Sequence, residues 1–337
     1  MVFGGGLWDD NGMKLTFVPV DEAVVAEARE ANARMAAAMT DVHLETISPA
    51  RLRAVRETGD GAFPKPVPDP RATTVTIDGP AGPIPLRIIR AERPAGAFLH
   101  IHGGGFTYGR PDEYDDLLRV IVDRMRLTVV SVDYRLAPEH PYPAGPDDCE
   151  AAAQWFLEHA GELAERPAST PIVLIGGESA GANLVVTTLL RLRDRHGLRP
   201  FAGALLCYGW YDLGLTPSMR NFGSAPLVLS TPHCDWLATG YVGSVDREAR
   251  RSPEVSPLHA DLRDLPPALI SVGTADPLID DSMFLAARWR QAGNHVELDV
   301  YPEGMHGFDS LPIGLAAAAL DRYVAWAGRT VAAARTR

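Results

Sequence analysis

The chain has 337 residues, long for one ordinary domain and short for two, which suits a single large α/β domain carrying an inserted or appended subdomain. Hydrophobic residues make up 46% and charged residues 22%, an ordinary globular balance. The net charge of −11 argues against nucleic acid and against anionic membrane surfaces as partners.

The N-terminal MVFGGGLWDDNGMK has no basic segment followed by an apolar one, so no signal peptide is expected, and residues 1 to 15 look irregular. From about Asp21 to Met39 apolar residues recur at helical spacing in an Ala-rich run, with Asp21 placed to act as N-cap. Ser48-Pro49 announces a second short helix, and DGAFPKPVPDP (60 to 70), with its four prolines, reads as a linker. Beyond it, ATTVTI (72 to 77) and PIPLRIIRA (83 to 91) flank a turn at 78 to 82, a β-hairpin.

Strands and helices then alternate: GAFLHIH, a helix near 113 to 126, LTVVSVD, a helix near 147 to 164, PIVLIGG, a helix from about 180 to 195, and AGALLCYG. These strands are near-continuous apolar runs, as a parallel sheet covered on both faces requires. The expected class is α/β, a mostly parallel doubly wound sheet with an antiparallel N-terminal edge. Residues 210 to 255 break the rhythm and read as an insertion above the sheet, with one helix in HCDWLATGYVG. The alternation resumes with ALISVG, a helix near 280 to 292, HVELDVYPE and a final helix from about 313 to 334. No run approaches 18 apolar residues, so no membrane span is expected. Cys149, Cys207 and Cys234 are sparse, odd in number and unpaired by spacing, which suits a reducing, cytoplasmic setting and argues against a disulfide framework.

Two glycine-rich stretches carry chemistry. PIVLIGG runs straight into Gly177-Glu178-Ser179-Ala180-Gly181 with a helix following, the G-x-S-x-G pattern of a nucleophile elbow. The turn would bring Ser179 out with its hydroxyl, and the N–H of Ala180, at a helix N-terminus that favours developing negative charge. Upstream, FLHIHGGGFTYG (98 to 109) ends a strand in three glycines that bury no side chain. A serine attacking a carbonyl creates an oxyanion needing N–H donors about 3 Å away. Ala180 supplies one, and a bare glycine backbone after an early strand can supply more. A phosphate-binding loop is disfavoured because no Lys or Ser/Thr follows in P-loop spacing.

Ser179 needs a base, and the base an orienting carboxylate, in the chain order Ser, acid, His. Among His233, His259, His295 and His306, only His306 lies in a glycine-flanked loop after the last strand. The acid should follow the preceding strand. Asp276 comes first there and Pro277 stiffens it, while Asp280 and Asp281 read better as N-cap or first-turn residues of the next helix. His100 and His102 form an H-x-H pair without a third ligand nearby, so no metal is expected. Cys149 and Cys207 read as small buried apolar residues.

HGGGF (102 to 106), DYRLAPEHPYPA (133 to 144), GESAG (177 to 181), SPL (256 to 258), DPLIDD (276 to 281) and GMHGF (304 to 308) together resemble the hormone-sensitive-lipase-like, HGGG-type, bacterial class IV carboxylesterase family of the α/β-hydrolases, over about residues 72 to 330. The resemblance implies an α/β-hydrolase fold with a helical cap, Ser179 as nucleophile, His306 as base and Asp276 as orienting acid. It implies oxyanion donors at Gly104, Gly105 and Ala180, and a bracing role for DYRLAPEHPYPA. Residues 1 to 65 would form N-terminal cap helices and linker, and 66 to 337 the catalytic domain with a cap insertion at about 210 to 255. Leu7, Trp8, Met35, Tyr211, Trp236 and Leu237 are candidates to line an acyl pocket. The expected activity is hydrolysis of short- to medium-chain carboxylic esters through an acyl-enzyme, with no cofactor. The partner expected is a small-molecule ester, with no nucleic acid, and a homodimer stays open. The alternatives are another serine hydrolase acting on amides or peptides, and a non-catalytic ligand-binding protein. Glu178 departs from the Asp or Thr more common before the serine in that family.

Overall fold

The computed structural model describes residues 7–8, 13–59, 65–165, 171–224 and 227–336. Ten strands form one sheet among them: β1 (Leu7–Trp8), β2 (Met13–Phe17), β3 (Thr73–Gly79), β4 (Gly82–Ile89) and β5 (Gly96–Ile101) in the first third of the chain. β6 (Leu127–Val132), β7 (Val173–Glu178), β8 (Gly203–Cys207), β9 (Ala268–Gly273) and β10 (Val296–Tyr301) complete it. Their order across the sheet is β1-β2-β10-β9-β8-β7-β5-β6-β4-β3. From β2 through β6 every neighbouring pair is parallel. β3, β4 and β6 pair antiparallel at one edge, as β1 and β2 do at the other.

Every residue of β5, β6, β7, β8 and β9 is buried, which is why those stretches read as apolar runs without alternation. The helices that cover them are α3 (Asp115–Asp123), α4 (Ala144–Glu158), α5 (Ala160–Leu163), α6 (Ala180–His196), α9 (Ile279–Gln291) and α10 (Gly314–Arg335). α1 (Glu22–Met39) and α2 (Pro49–Thr58) precede the hairpin, and α7 (Pro217–Phe222) and α8 (Thr231–Val242) stand between β8 and β9. No helix among the described residues is long and apolar enough to cross a membrane.

The two N-terminal helices start differently. The Ser48 hydroxyl accepts the Arg51 N–H at 3.3 Å, a side-chain cap with Pro49 in the first turn. Asp21 occupies the N-cap position of α1 without a side-chain cap; its main-chain carbonyl accepts from Val24 and Val25 instead.

Three expectations change. Of residues 1 to 15, read as irregular, 7–8 and 13–15 belong to β1 and β2 while 1–6 and 9–12 lie outside the described residues, and β2 pairs parallel with β10 from Met13 against Val296 to Phe17 against Val300. The helix expected near 147 to 164 starts at Ala144 and breaks at His159 into α4 and α5. α7 adds a helix that the Gly- and Pro-rich composition of residues 210 to 255 concealed. Of the linker, residues 60–64 lie outside the described residues, and 65–70 form no strand or helix.

Candidate active site

β7 delivers Ser179 to the centre of the sheet, and α6 begins at the next residue. Ser179 has φ 55° and ψ −120°, a conformation that carries on the order of 1 to 3 kcal/mol of strain in a residue with a side chain. The exit of β8 clamps it: Ser179 N–H donates to the Cys207 carbonyl at 2.9 Å, and Trp210 N–H donates to the Ser179 carbonyl at 3.2 Å. The flanking glycines serve close approach. A β-carbon on Gly177 or Gly181 would lie 2.3 or 2.0 Å from the Ile101 carbonyl oxygen, so only bare backbone lets the elbow seat against the end of β5.

The loop after β10 brings His306 to Ser179. His306 Nε2 stands 2.9 Å from the Ser179 hydroxyl, and Nδ1 stands 2.9 Å from Oδ2 of Asp276, in the loop after β9. The other Asp276 oxygen accepts the Leu278 N–H at 2.8 Å, so both carboxylate oxygens are fixed. His306 is 7% and Asp276 2% exposed, which keeps water from competing for these bonds. A base paired this way holds its proton on Nδ1 and offers Nε2 to the hydroxyl.

The glycine loop after β5 turns at Gly104, with φ +111°, and Gly105, with φ +57°. The Gly104 carbonyl accepts from Thr107 and Tyr108, closing a tight turn. The N–H groups of Gly104, Gly105 and Ala180 have no acceptor among the described residues, so all three remain available to a ligand oxygen. A β-carbon on Gly105 would lie 2.6 Å from the Leu237 side chain, which packs α8 against this loop.

Long-range polar contacts brace both loops. Tyr134 donates its hydroxyl to the His102 carbonyl at 2.9 Å, and Ala137 N–H donates to the Phe106 carbonyl. Arg53 on α2 donates to the carbonyls of Thr107 and Ala137 and to both oxygens of Glu139. α1 holds the loop that carries His306 at its two ends: Asn32 donates to the Glu303 carbonyl, and Gly314 N–H donates to Glu27. Tyr134 and Ala137 lie in DYRLAPEHPYPA, where the resemblance implies a bracing role, whereas the braces from α1 and α2 escape sequence reasoning because they join residues 54 to 287 positions apart.

The remaining candidates are placed elsewhere. His100 lies between Ser131, at 2.7 Å, and the Glu178 carboxylate, at 3.0 Å, so the unusual Glu178 points under the elbow into a buried pair. His102 stacks on Tyr134 with ring centroids 4.3 Å apart and bonds the Gly103 carbonyl, and burial lowers its pKa to about 3, leaving it neutral. Among the described residues no group of three His, Cys, Asp or Glu side chains is arranged to hold a metal. Cys149, Cys207 and Cys234 are buried free thiols.

Asp280 and Asp281 stand in the first turn of α9, yet their side chains bond residues 211 to 218. Asp280 accepts from Ser218 N–H, while Asp281 accepts from Tyr211 N–H, Asp212 N–H and the Thr216 hydroxyl. His295 is exposed just before β10, and His259 sits 3.5 Å from Asp212, whereas His306 is the histidine that bonds Ser179. Of the proposed pocket residues, Met35, Tyr211 and Leu237 are buried and Trp236 is partly buried, while the side chains of Leu7 and Trp8 lie outside the described residues.

Comparison with known proteins places this geometry among relatives. Residues 98–310 match the family model described as alpha/beta hydrolase fold. The chain is 39% identical over 274 residues to the carboxylic ester hydrolase LipN of Mycobacterium tuberculosis, covering 78% of this chain and 70% of that protein. It is 36% identical to the carboxylesterase NlhH of the same species, covering 81% and 85%. A solved hormone-sensitive lipase from a metagenome library superposes with a TM-score of 0.77 at 29% identity, over 90% of this chain and 98% of that one.

Proposed function

The chain belongs to the α/β-hydrolase-fold family, in its hormone-sensitive-lipase-like branch, and on that premise we propose that it is a serine carboxylesterase acting on short- to medium-chain carboxylic esters. The observation that carries the reading is the hydrogen-bonded chain from the Ser179 hydroxyl through His306 to Asp276, both links 2.9 Å long.

In the proposed cycle His306 Nε2 takes the hydroxyl proton as the Ser179 oxygen attacks the ester carbonyl. Asp276 fixes the tautomer and stabilises the imidazolium that forms. The carbonyl oxygen gains negative charge and is met by the N–H groups of Gly104, Gly105 and Ala180, which need no reorganisation because their backbone is already locked. His306 then gives its proton to the leaving alcohol. Water, deprotonated by the same imidazole, hydrolyses the acyl-enzyme and restores Ser179.

The N-terminal helices and the 210–255 insertion form the cap over the acyl group in this reading. The contact of Leu237 with the glycine loop supports it, since it sets apolar surface beside the scissile carbonyl. Three buried free cysteines suit a reducing compartment, and the cytoplasm is the compartment proposed.

The test is turnover of p-nitrophenyl esters of increasing acyl length beside a p-nitroanilide, with Ser179→Ala as control. Ester cleavage falling off at long chains and abolished in the variant supports the assignment. Ester turnover that survives Ser179→Ala removes it, and a faster anilide would redirect it to amide hydrolysis.

A further inference from the structure

Behind the imidazole of His306 lies a second hydrogen-bonded chain that the acyl-transfer cycle leaves unused. The Tyr208 ring meets the His306 ring edge to face, with centroids 5.0 Å apart and planes at 71°. Its hydroxyl donates to Oδ1 of Asp309 at 2.5 Å, and the Tyr323 hydroxyl donates to Oδ2 at 3.2 Å. Tyr323, on α10, is also 2.7 Å from the Ser271 hydroxyl on β9. The Tyr208 N–H donates to the Ser271 carbonyl, which ties this chain to the strand leading to Asp276.

Resting on the assignment of His306 as base, we infer that Tyr208 and Asp309 are a positioning pair: the ring fixes the imidazole, and the anchored carboxylate raises its affinity for a proton. The arrangement gives His306 two carboxylates of unlike kind. Asp276 touches the ring, whereas Asp309 acts through space from behind Tyr208. Burial pushes the Asp309 carboxyl up to about 6, so it gains a proton over the range in which histidines titrate.

The titratable groups facing Asp309 are Tyr208 and Cys207 from β8 and its exit, Tyr323 from α10, Tyr301 from β10, Glu178 from the elbow strand, and His306. Those facing His306 are Asp276, Tyr208, Asp309 and, from the cap, His233.

The experiment is the pH profile of kcat/KM for a p-nitrophenyl ester. Asp309→Asn keeps the shape and removes the charge, so the acid limb should move to lower pH by about half a unit. Tyr323→Phe takes one donor from Asp309 without touching His306. It raises the Asp309 pKa, and a smaller move in the same direction is expected. A packing role would lower kcat and leave the limb where it is. An unshifted limb in a folded Asp309→Asn overturns the inference, and if that variant does not fold, an unshifted limb in Tyr323→Phe does so. Ser179→Ala run in parallel separates the two layers: an inactive Ser179→Ala with an unshifted limb sinks this inference alone, whereas an active Ser179→Ala sinks the acyl-transfer reading beneath it.

Discussion

Arg53 of α2 donates its Nε–H to the Thr107 carbonyl at 2.9 Å, two residues beyond Gly105, and closes a bidentate pair with Glu139 from the same guanidinium. A planar fork can serve two carbonyls and a carboxylate at once, which an ammonium cannot. Arg53→Lys should therefore resemble Arg53→Ala in activity. Both should lose about tenfold in kcat/KM, with about 1 to 2 kcal/mol of stability lost on removing the charged hydrogen bonds, discounted for partial exposure. Urea unfolding and ester turnover on the same preparations check this. A lysine variant with full activity would show that charge, not geometry, is what the loop needs.

Gly104→Ala tests the oxyanion assignment where the backbone leaves least room. The new β-carbon would lie 1.9 Å from the Tyr108 carbonyl oxygen at a φ of +111°, so the turn must open. Displacing one donor should lower kcat by about 100-fold or more. KM and the thermal midpoint separate this from unfolding. Turnover within threefold of the parent would detach this loop from the reaction.

Asp276→Asn keeps the shape of the acid and removes its charge. The amide cannot both accept from Nδ1–H and stabilise an imidazolium, so kcat should drop about 10⁴-fold at neutral pH. Circular dichroism should match the parent. Asp280→Asn, whose carboxylate bonds Ser218, should leave kcat within a few-fold and serves as the contrast.

Asp281 makes stability depend on pH with a definite sign. Burial pushes its carboxyl up to about 8 from an ordinary 3.8. Between those values the folded chain holds a proton that the unfolded chain has released, so this residue's contribution to stability declines as pH rises. Asp281→Asn has no such term. Its unfolding free energy relative to the parent should rise from pH 5 to 7.5, with a slope of at most about 1.4 kcal/mol per unit. Asp281→Ala would strand the N–H groups of Tyr211 and Asp212 and should lose about 2 to 4 kcal/mol. Equal differences at both pH values would contradict the buried acid.

What the sequence made legible was whatever is encoded locally. The run PIVLIGG followed by GESAG announces strand, turn and helix within a dozen residues, and β9 covers the same residues as the run read from ALISVG. β2 was missed because a five-residue strand with Lys14 and Thr16 has little apolar signal, and its partner β10 lies some 280 residues away. Asp281 read as a helix-start residue because acidic first turns are common. Its bonds to Tyr211 and Thr216 depend on a fold that composition does not reveal. Asp309 and Tyr208 carry no motif at all, and only the packing of α10 against β9 brings their partners together.

The attachment of α1 and β2 to the last third of the molecule has a consequence for how the chain is made. Val296, Glu303 and Gly314, the partners of Met13, Asn32 and Glu27, are translated some 270 to 290 residues later. At about 5 to 20 residues per second, β2 and α1 wait roughly 15 to 60 s on the ribosome before their docking surfaces emerge. The apolar face of α1, with Val25, Ala28, Ala31 and Met35, is unshielded for that time and is the part of the nascent chain that a chaperone would meet first.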